Sequence, residues 1–219
     1  MISQALGFMI AVLLTANASE LLAKPAVPPK IVGIGLGLFG AIYTHESGHA
    51  LVAKYYGWEV ESVGFAVNEN GVGGVTRIKP KEDSDQARRQ YALICAAGSV
   101  FQIVPVLAAP MISRHSQNIY LNSSLEYLGL FGSADFLFYT LKDQLLTWAN
   151  DPHANEGDWR RFSDFSGIPL PVVLGVSVAW TWTLIHYQTR MYESFHHEND
   201  AVTTPRPAIT LFNAKIFQF

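Results

Sequence analysis

The sequence predicts an all-α polytopic membrane bundle of four to six transmembrane helices, with one small β-hairpin set after the second apolar segment. Three observations carry this expectation. Hydrophobic residues make up 49% of the 219 and charged residues only 15%, where an average soluble domain has about 25% charged. Residues 91–112 and 167–187 contain no Asp, Glu, Lys or Arg, and each matches the ~20 residues that cross a hydrocarbon core. Between two apolar stretches, residues 57–80 hold two alternating runs around Asn70-Gly71, a strong hairpin signal.

The elements follow in order. The N-terminal stretch "ALGFMIAVLLTANA" is the weakest span. Ala16-Asn17-Ala18 resembles a signal-peptide cleavage site, but no Lys or Arg precedes the apolar run, which favours a retained helix. Residues 31–56 form the second candidate, free of charge until His45. The hairpin at 57–80 either packs on the helices or offers an edge to which an extended peptide adds as another strand. A charged loop, "KPKEDSDQARR", leads into the third candidate at 91–112. The fourth, "YLGLFGSADFLFYTL", is short, with a break expected at Gly132-Ser133 and an acid, Asp135, inside it. Asp158 stands before a short helix, "WRRFSDFSG", where an acid commonly caps. The last span, 167–187, carries Trp180, Trp182 and Tyr187 towards one end like an interface belt. The expected core is residues 1–197 with the hairpin at 57–80, and 198–219 reads as a C-terminal tail. Lys and Arg flank several spans on both sides, so the positive-inside rule leaves the orientation open.

Charge and cysteine content exclude several classes. Net charge is −3 and no basic run exceeds two residues, which argues against nucleic acid and against an electrostatic lipid anchor. Cys95 is the only cysteine and lies in an apolar run, so neither a disulfide framework nor a cysteine metal cluster is possible within the chain.

The chemistry is concentrated in "IYTHESGHALVAKYYG", residues 42–57. Residues four apart on a helix share a face, so His45 and His49 present two imidazoles to one ion. Glu46 is turned by about 100° from His45, where it reaches a water on that ion. This is the His-Glu-x-x-His arrangement: zinc is the Lewis acid, His45 and His49 are ligands, and Glu46 is the general base. Gly48 leaves room for substrate or for a neighbouring helix. Ionisable groups at the end of a span cost several kcal/mol unless paired or metal-bound.

"HESGHALVAKYYG", with Ala53 four residues beyond the second histidine, resembles the first signature of the site-2 protease family of intramembrane zinc metalloproteases. The hairpin after this helix and "CAAGSVFQIVPVL" resemble the segments that follow in that family, although Ser99 stands where proline is expected. The resemblance implies a third zinc ligand, an aspartate following an Asn-x-x-Pro string near a later span. That string is absent. "NDPHANEGDW" offers Asn150 and, eight residues on, Asp158, at the family's spacing. Asp158 is therefore the expected third ligand; Asp135 and His153 are the alternatives. Asn150 either hydrogen-bonds the substrate or ends the preceding helix. His115, His186, His196 and His197 read as solvated.

The expected function is zinc-dependent hydrolysis of peptide bonds in membrane-protein or peptide substrates, within or beside the bilayer. The localisation is integral to the membrane and multi-pass. The alternatives are a catalytically inactive zinc-binding membrane module acting as a partner or chaperone, and a soluble zinc peptidase. Substrate identity, the particular membrane and oligomeric state are not legible.

Overall fold

A computed structural model describes residues 27–68, 71–154 and 156–200. The N-terminal apolar segment, and with it the choice between span and signal peptide, lies outside them, as do Glu69, Asn70, Asn155 and residues 201–219.

Helix α1 spans Pro29–Tyr55. Proline in its first turn suits a position whose N–H has no intrahelical partner, and Gly57, at φ 69°, turns the chain out of it. Strands β1 (Val60–Asn68) and β2 (Gly71–Ile78) form an antiparallel hairpin with Val63 opposite Thr76 and Phe65 opposite Gly74. Helix α2 (Asp85–Phe101) starts at Ser84, whose hydroxyl accepts from the Ala87 N–H. The predicted single span at 91–112 is broken at Gln102, and α3 continues from Ile103–His115. Pro105 accounts for the break: it has no N–H for the Phe101 carbonyl, and its ring crowds that carbonyl.

Helix α4 runs unbroken through Ile119–Trp148. The break expected at Gly132-Ser133 does not occur. Gly132 is instead a point of close approach, where an added Cβ would lie 2.6 Å from Val106 Cγ2. Asp135 is thus mid-helix and not a cap. Helix α5 is Asp158–Ser166, and Gly167 at φ 77° closes it. Helix α6 covers Leu170–Asp200. It takes in His196 and His197, and no Gly or Pro lies between Gly175 and Pro205.

The described residues are mostly helical with this small two-stranded sheet. Two stretches are long and apolar enough to cross a bilayer, Asp85–His115 and Leu170–Ser194, against four to six expected. Helices α1 and α4, of 27 and 30 residues, are about 40 and 45 Å long at 1.5 Å per residue, but both bury polar side chains along their length.

Those two helices set the geometry of the centre. The buried positions of α1 include Gly33, Gly37, Ala41, His45 and His49, a stripe repeating every four residues. A Cβ at Gly33 would strike Ser123, one at Gly37 would strike Tyr127, and His45 bonds Asp135. Each pair differs by 90 in number (123 − 33, 127 − 37, 135 − 45), so α1 and α4 run parallel in register. The small residues let the backbones approach closely. Helix α2 packs on a second face, where a Cβ at Gly48 would come within 2.5 Å of the Ala97 carbonyl oxygen. Gly48 therefore makes room for a helix. A cluster of Phe136, Trp159, Leu170 and Val173 joins α4, α5 and α6, with Trp159 stacked on Phe136 at 4.0 Å between centroids.

Candidate metal centre

His45 and His49 project from α1 into a buried interface with α2 and α4. They are 2% and 5% exposed, and Glu46 is 7% exposed. The two Nε2 atoms face each other at 3.0 Å. Asp158 Oδ2 completes a triangle, 3.3 Å from His45 Nε2 and 3.2 Å from His49 Nε2.

The far side of each ring fixes its proton. His49 Nδ1 lies 2.6 Å from the Ile94 carbonyl oxygen, which can only accept, so Nδ1 donates. His45 Nδ1 lies 2.9 Å from Asp135 Oδ2, and an ionised carboxylate likewise only accepts. A neutral ring at either position thus presents its Nε2 lone pair to the centre. Tyr139 stacks on His45 at 5.0 Å between centroids and further fixes that ring. Gly98 of α2 lies against both rings, and an added Cβ would sit 2.5 Å from each Nε2.

Asp158 reaches the centre because something else caps its helix. The sequence suggests it as the N-cap, but Gly157 holds that position and Asp158 is the first helical residue. Asp143 of α4 accepts from the Trp159 and Arg160 N–H groups through Oδ2, both at 3.0 Å. It satisfies the orphan donors of α5 from another helix, and the Asp158 carboxylate is left for the imidazoles. Burial pushes the Asp158 carboxyl up. The adjacent His49 and His45, when protonated, more than reverse this and hold it well below the usual carboxylate range.

Glu46 faces the hairpin. Thr76 Oγ1 is 2.6 Å from Glu46 Oε2 and 2.9 Å from Glu46 O, so its one proton is shared between two acceptors. A Cβ at Gly74 would lie 2.6 Å from Glu46 Cδ; the side chain packs directly on the β2 backbone.

Of the sequence-level candidates, the structure brings His45, His49 and Asp158 together, with Asp135 behind His45. It does not bring in His153. That imidazole is exposed and bonds Glu156 at 3.1 Å, a contact that raises its pKa above the usual range. Asn150 is exposed, at φ 51° just beyond the C-terminus of α4, and so ends that helix. Sequence reasoning missed Thr76, Ser99 and Asp143.

The triangle suits a zinc ion. Ligand atoms about 2.0–2.1 Å from a tetrahedral metal stand roughly 3.3 Å apart, and the three edges here are 3.0, 3.2 and 3.3 Å. Two imidazoles and a carboxylate are also the donor types of a hydrolytic zinc site with one open position.

Residues 34–212 match peptidase family M50. No curated protein and no solved structure matches the chain. The chain belongs to peptidase family M50, the site-2 protease family, whose members are membrane-associated, zinc-dependent metallopeptidases.

Proposed function

We propose that this member of peptidase family M50 is a multi-pass membrane endopeptidase that hydrolyses peptide bonds of membrane-protein substrates within or beside the bilayer. Zinc would be held by His45 Nε2, His49 Nε2 and an Asp158 carboxylate oxygen. The observation that carries the reading is the convergence of three lone-pair donors at the spacing of one tetrahedral face. Held by these residues, the ion would supply Lewis-acid chemistry toward a water and a substrate carbonyl.

The chain's own residues supply the rest. Glu46, steadied by Thr76 at Oε2, would take a proton from the attacking water and then deliver it to the leaving amine nitrogen. Asp143 and the Phe136–Trp159 stack hold Asp158 in place. The outer edges of β1 and β2 pair with nothing among the described residues. A substrate helix must unwind before its carbonyl is accessible, and pairing with a hairpin edge would satisfy the amide groups it frees. Besides the two apolar stretches, α1 and α4 are long enough to span, and His45 and Asp135, one from each, meet at their interface.

Glu46→Gln tests the reading. Loss of turnover by at least about 100-fold with one zinc retained per chain supports it. Unchanged turnover refutes it, and a membrane-partner function that survives the substitution points to an inactive zinc-binding module.

A further inference from the structure

The two acids near His45 meet opposite ends of its ring. Asp158 Oδ2 lies at Nε2, 3.3 Å away, and Asp135 Oδ2 lies at Nδ1, 2.9 Å away. Asp135 is therefore separated from the ligand triangle by the imidazole itself. Its side chain is 10% exposed, and the same Oδ2 accepts from Ser99 Oγ of α2 at 2.7 Å. Three helices contribute to one chain of contacts: Ser99 from α2, Asp135 from α4, His45 from α1.

We propose that Asp135 is a positioning residue that sets the tautomer, orientation and basicity of His45 as a metal ligand, and that Ser99 anchors it. The proposal rests on the metal reading above. A carboxylate accepting from Nδ1–H keeps the proton on that nitrogen, directs the Nε2 lone pair inward, and raises ligand basicity. His49 has only a neutral carbonyl, Ile94 O, in the equivalent place. The two imidazoles are thus unequally supported, and His45 is the one whose strength as a ligand depends on a buried charge. The carboxylate needs its own anchor because a free Asp rotamer could turn from the ring; the Ser99 hydroxyl supplies it from another helix, α2.

The test uses the detergent-solubilised full chain as wild type, Asp135→Asn, Asp135→Ala, Ser99→Ala and Asp158→Ala. Zinc affinity is measured by competition with a chelating dye, the cobalt(II) visible band is recorded, and thermal midpoints are taken without metal. Asp135→Ala is expected to bind one zinc about 10–100-fold more weakly, with a shifted cobalt band. Asp135→Asn, which keeps an acceptor oxygen but loses the charge, falls between it and wild type. Ser99→Ala shows a loss of about threefold in the same direction at an unchanged metal-free midpoint, and it keeps the test open if Asp135→Ala does not fold. Wild-type affinity in both Asp135→Ala and Ser99→Ala, with Asp158→Ala defective, overturns the positioning role and leaves the metal site standing. Loss of stoichiometric zinc in Asp135→Ala with retention in Asp158→Ala makes Asp135 a ligand and also overturns it. Absence of zinc from the wild type removes the metal reading itself.

Discussion

Gly98→Ala places one methyl group against the centre and nothing else. The added Cβ would lie 2.5 Å from His45 Nε2, 2.5 Å from His49 Nε2 and 2.7 Å from His45 Cδ2. Ordinary heavy-atom contact begins near 3.5 Å, so each ring must retreat by roughly 1 Å. Metal–ligand distances tolerate about 0.2 Å. The rings cannot retreat freely, because Nδ1 of one is bonded to Asp135 and Nδ1 of the other to the Ile94 carbonyl. Either those bonds break or the ligand triangle opens, and zinc affinity should fall by at least about 100-fold, as much as or more than loss of an outer partner. The helix itself gains, since Ala is favoured over Gly by about 1 kcal/mol in a helix interior. The metal-free thermal midpoint should therefore move by no more than a few degrees. Competition titration and thermal unfolding on the same preparation separate the two effects. Zinc binding within threefold of wild type would refute the placement of the rings.

Three further outcomes are expected. Asp143→Ala removes the oxygen that accepts from the Trp159 and Arg160 N–H groups and should destabilise the protein by about 1–3 kcal/mol while weakening zinc; Asp143→Asn, which keeps an acceptor, should do less, and equal midpoints for Ala and wild type in a melting curve would contradict the capping role. Thr76→Val conserves shape but deletes the hydroxyl on Glu46, so kcat should drop roughly tenfold, equivalent to about 1.4 kcal/mol, at constant zinc affinity, and Thr76→Ser should restore it; an unaltered kcat in Thr76→Val counts against it. Chelation should abolish hydrolysis and lower the thermal midpoint, both recovered by zinc, because saturation at 100 times Kd stabilises by about 2.7 kcal/mol; a midpoint indifferent to chelator argues against a metal in the fold.

The local part of this centre was legible and the long-range part was not. His45, Glu46 and His49 share one helix, so the 3.6-residue period alone orients them. The hairpin was legible because Asn70-Gly71 and alternation are local signals. The ambiguity among Asp158, Asp135 and His153 could not be resolved from local sequence. Each has a cap-like or loop-like setting, and what distinguishes them is a contact 113, 90 or 3 residues away. The misplaced break at Gly132-Ser133 has the same origin: small residues mark a break or a close contact between helices, and only the neighbour decides. One signal was available and unused. The four-residue stripe Gly33-Gly37-Ala41-His45 of α1 and the series Ser123-Tyr127-Phe131-Asp135 of α4 share a period, which is what a parallel pair in register requires.

The electrostatics of the centre narrow what it can contain. Glu46, Asp135 and Asp158 surround two imidazoles, and buried negative charge needs compensation. Protons are one source. Both Nδ1 atoms already carry protons, held by Asp135 and the Ile94 carbonyl, so a second proton on either ring has to sit on Nε2. Protonating both rings places two donors 3.0 Å apart with a single oxygen, Asp158 Oδ2, between them. Like charges would then meet at van der Waals contact in a site of low dielectric, where repulsion is strongest. A divalent cation would remove the conflict, because it would accept all three lone pairs at once and supply two charges in the space that two protons would contest. Asp135, by accepting the outer proton of His45, keeps the Nε2 lone pair of that ring turned toward the centre, where a cation would draw on it.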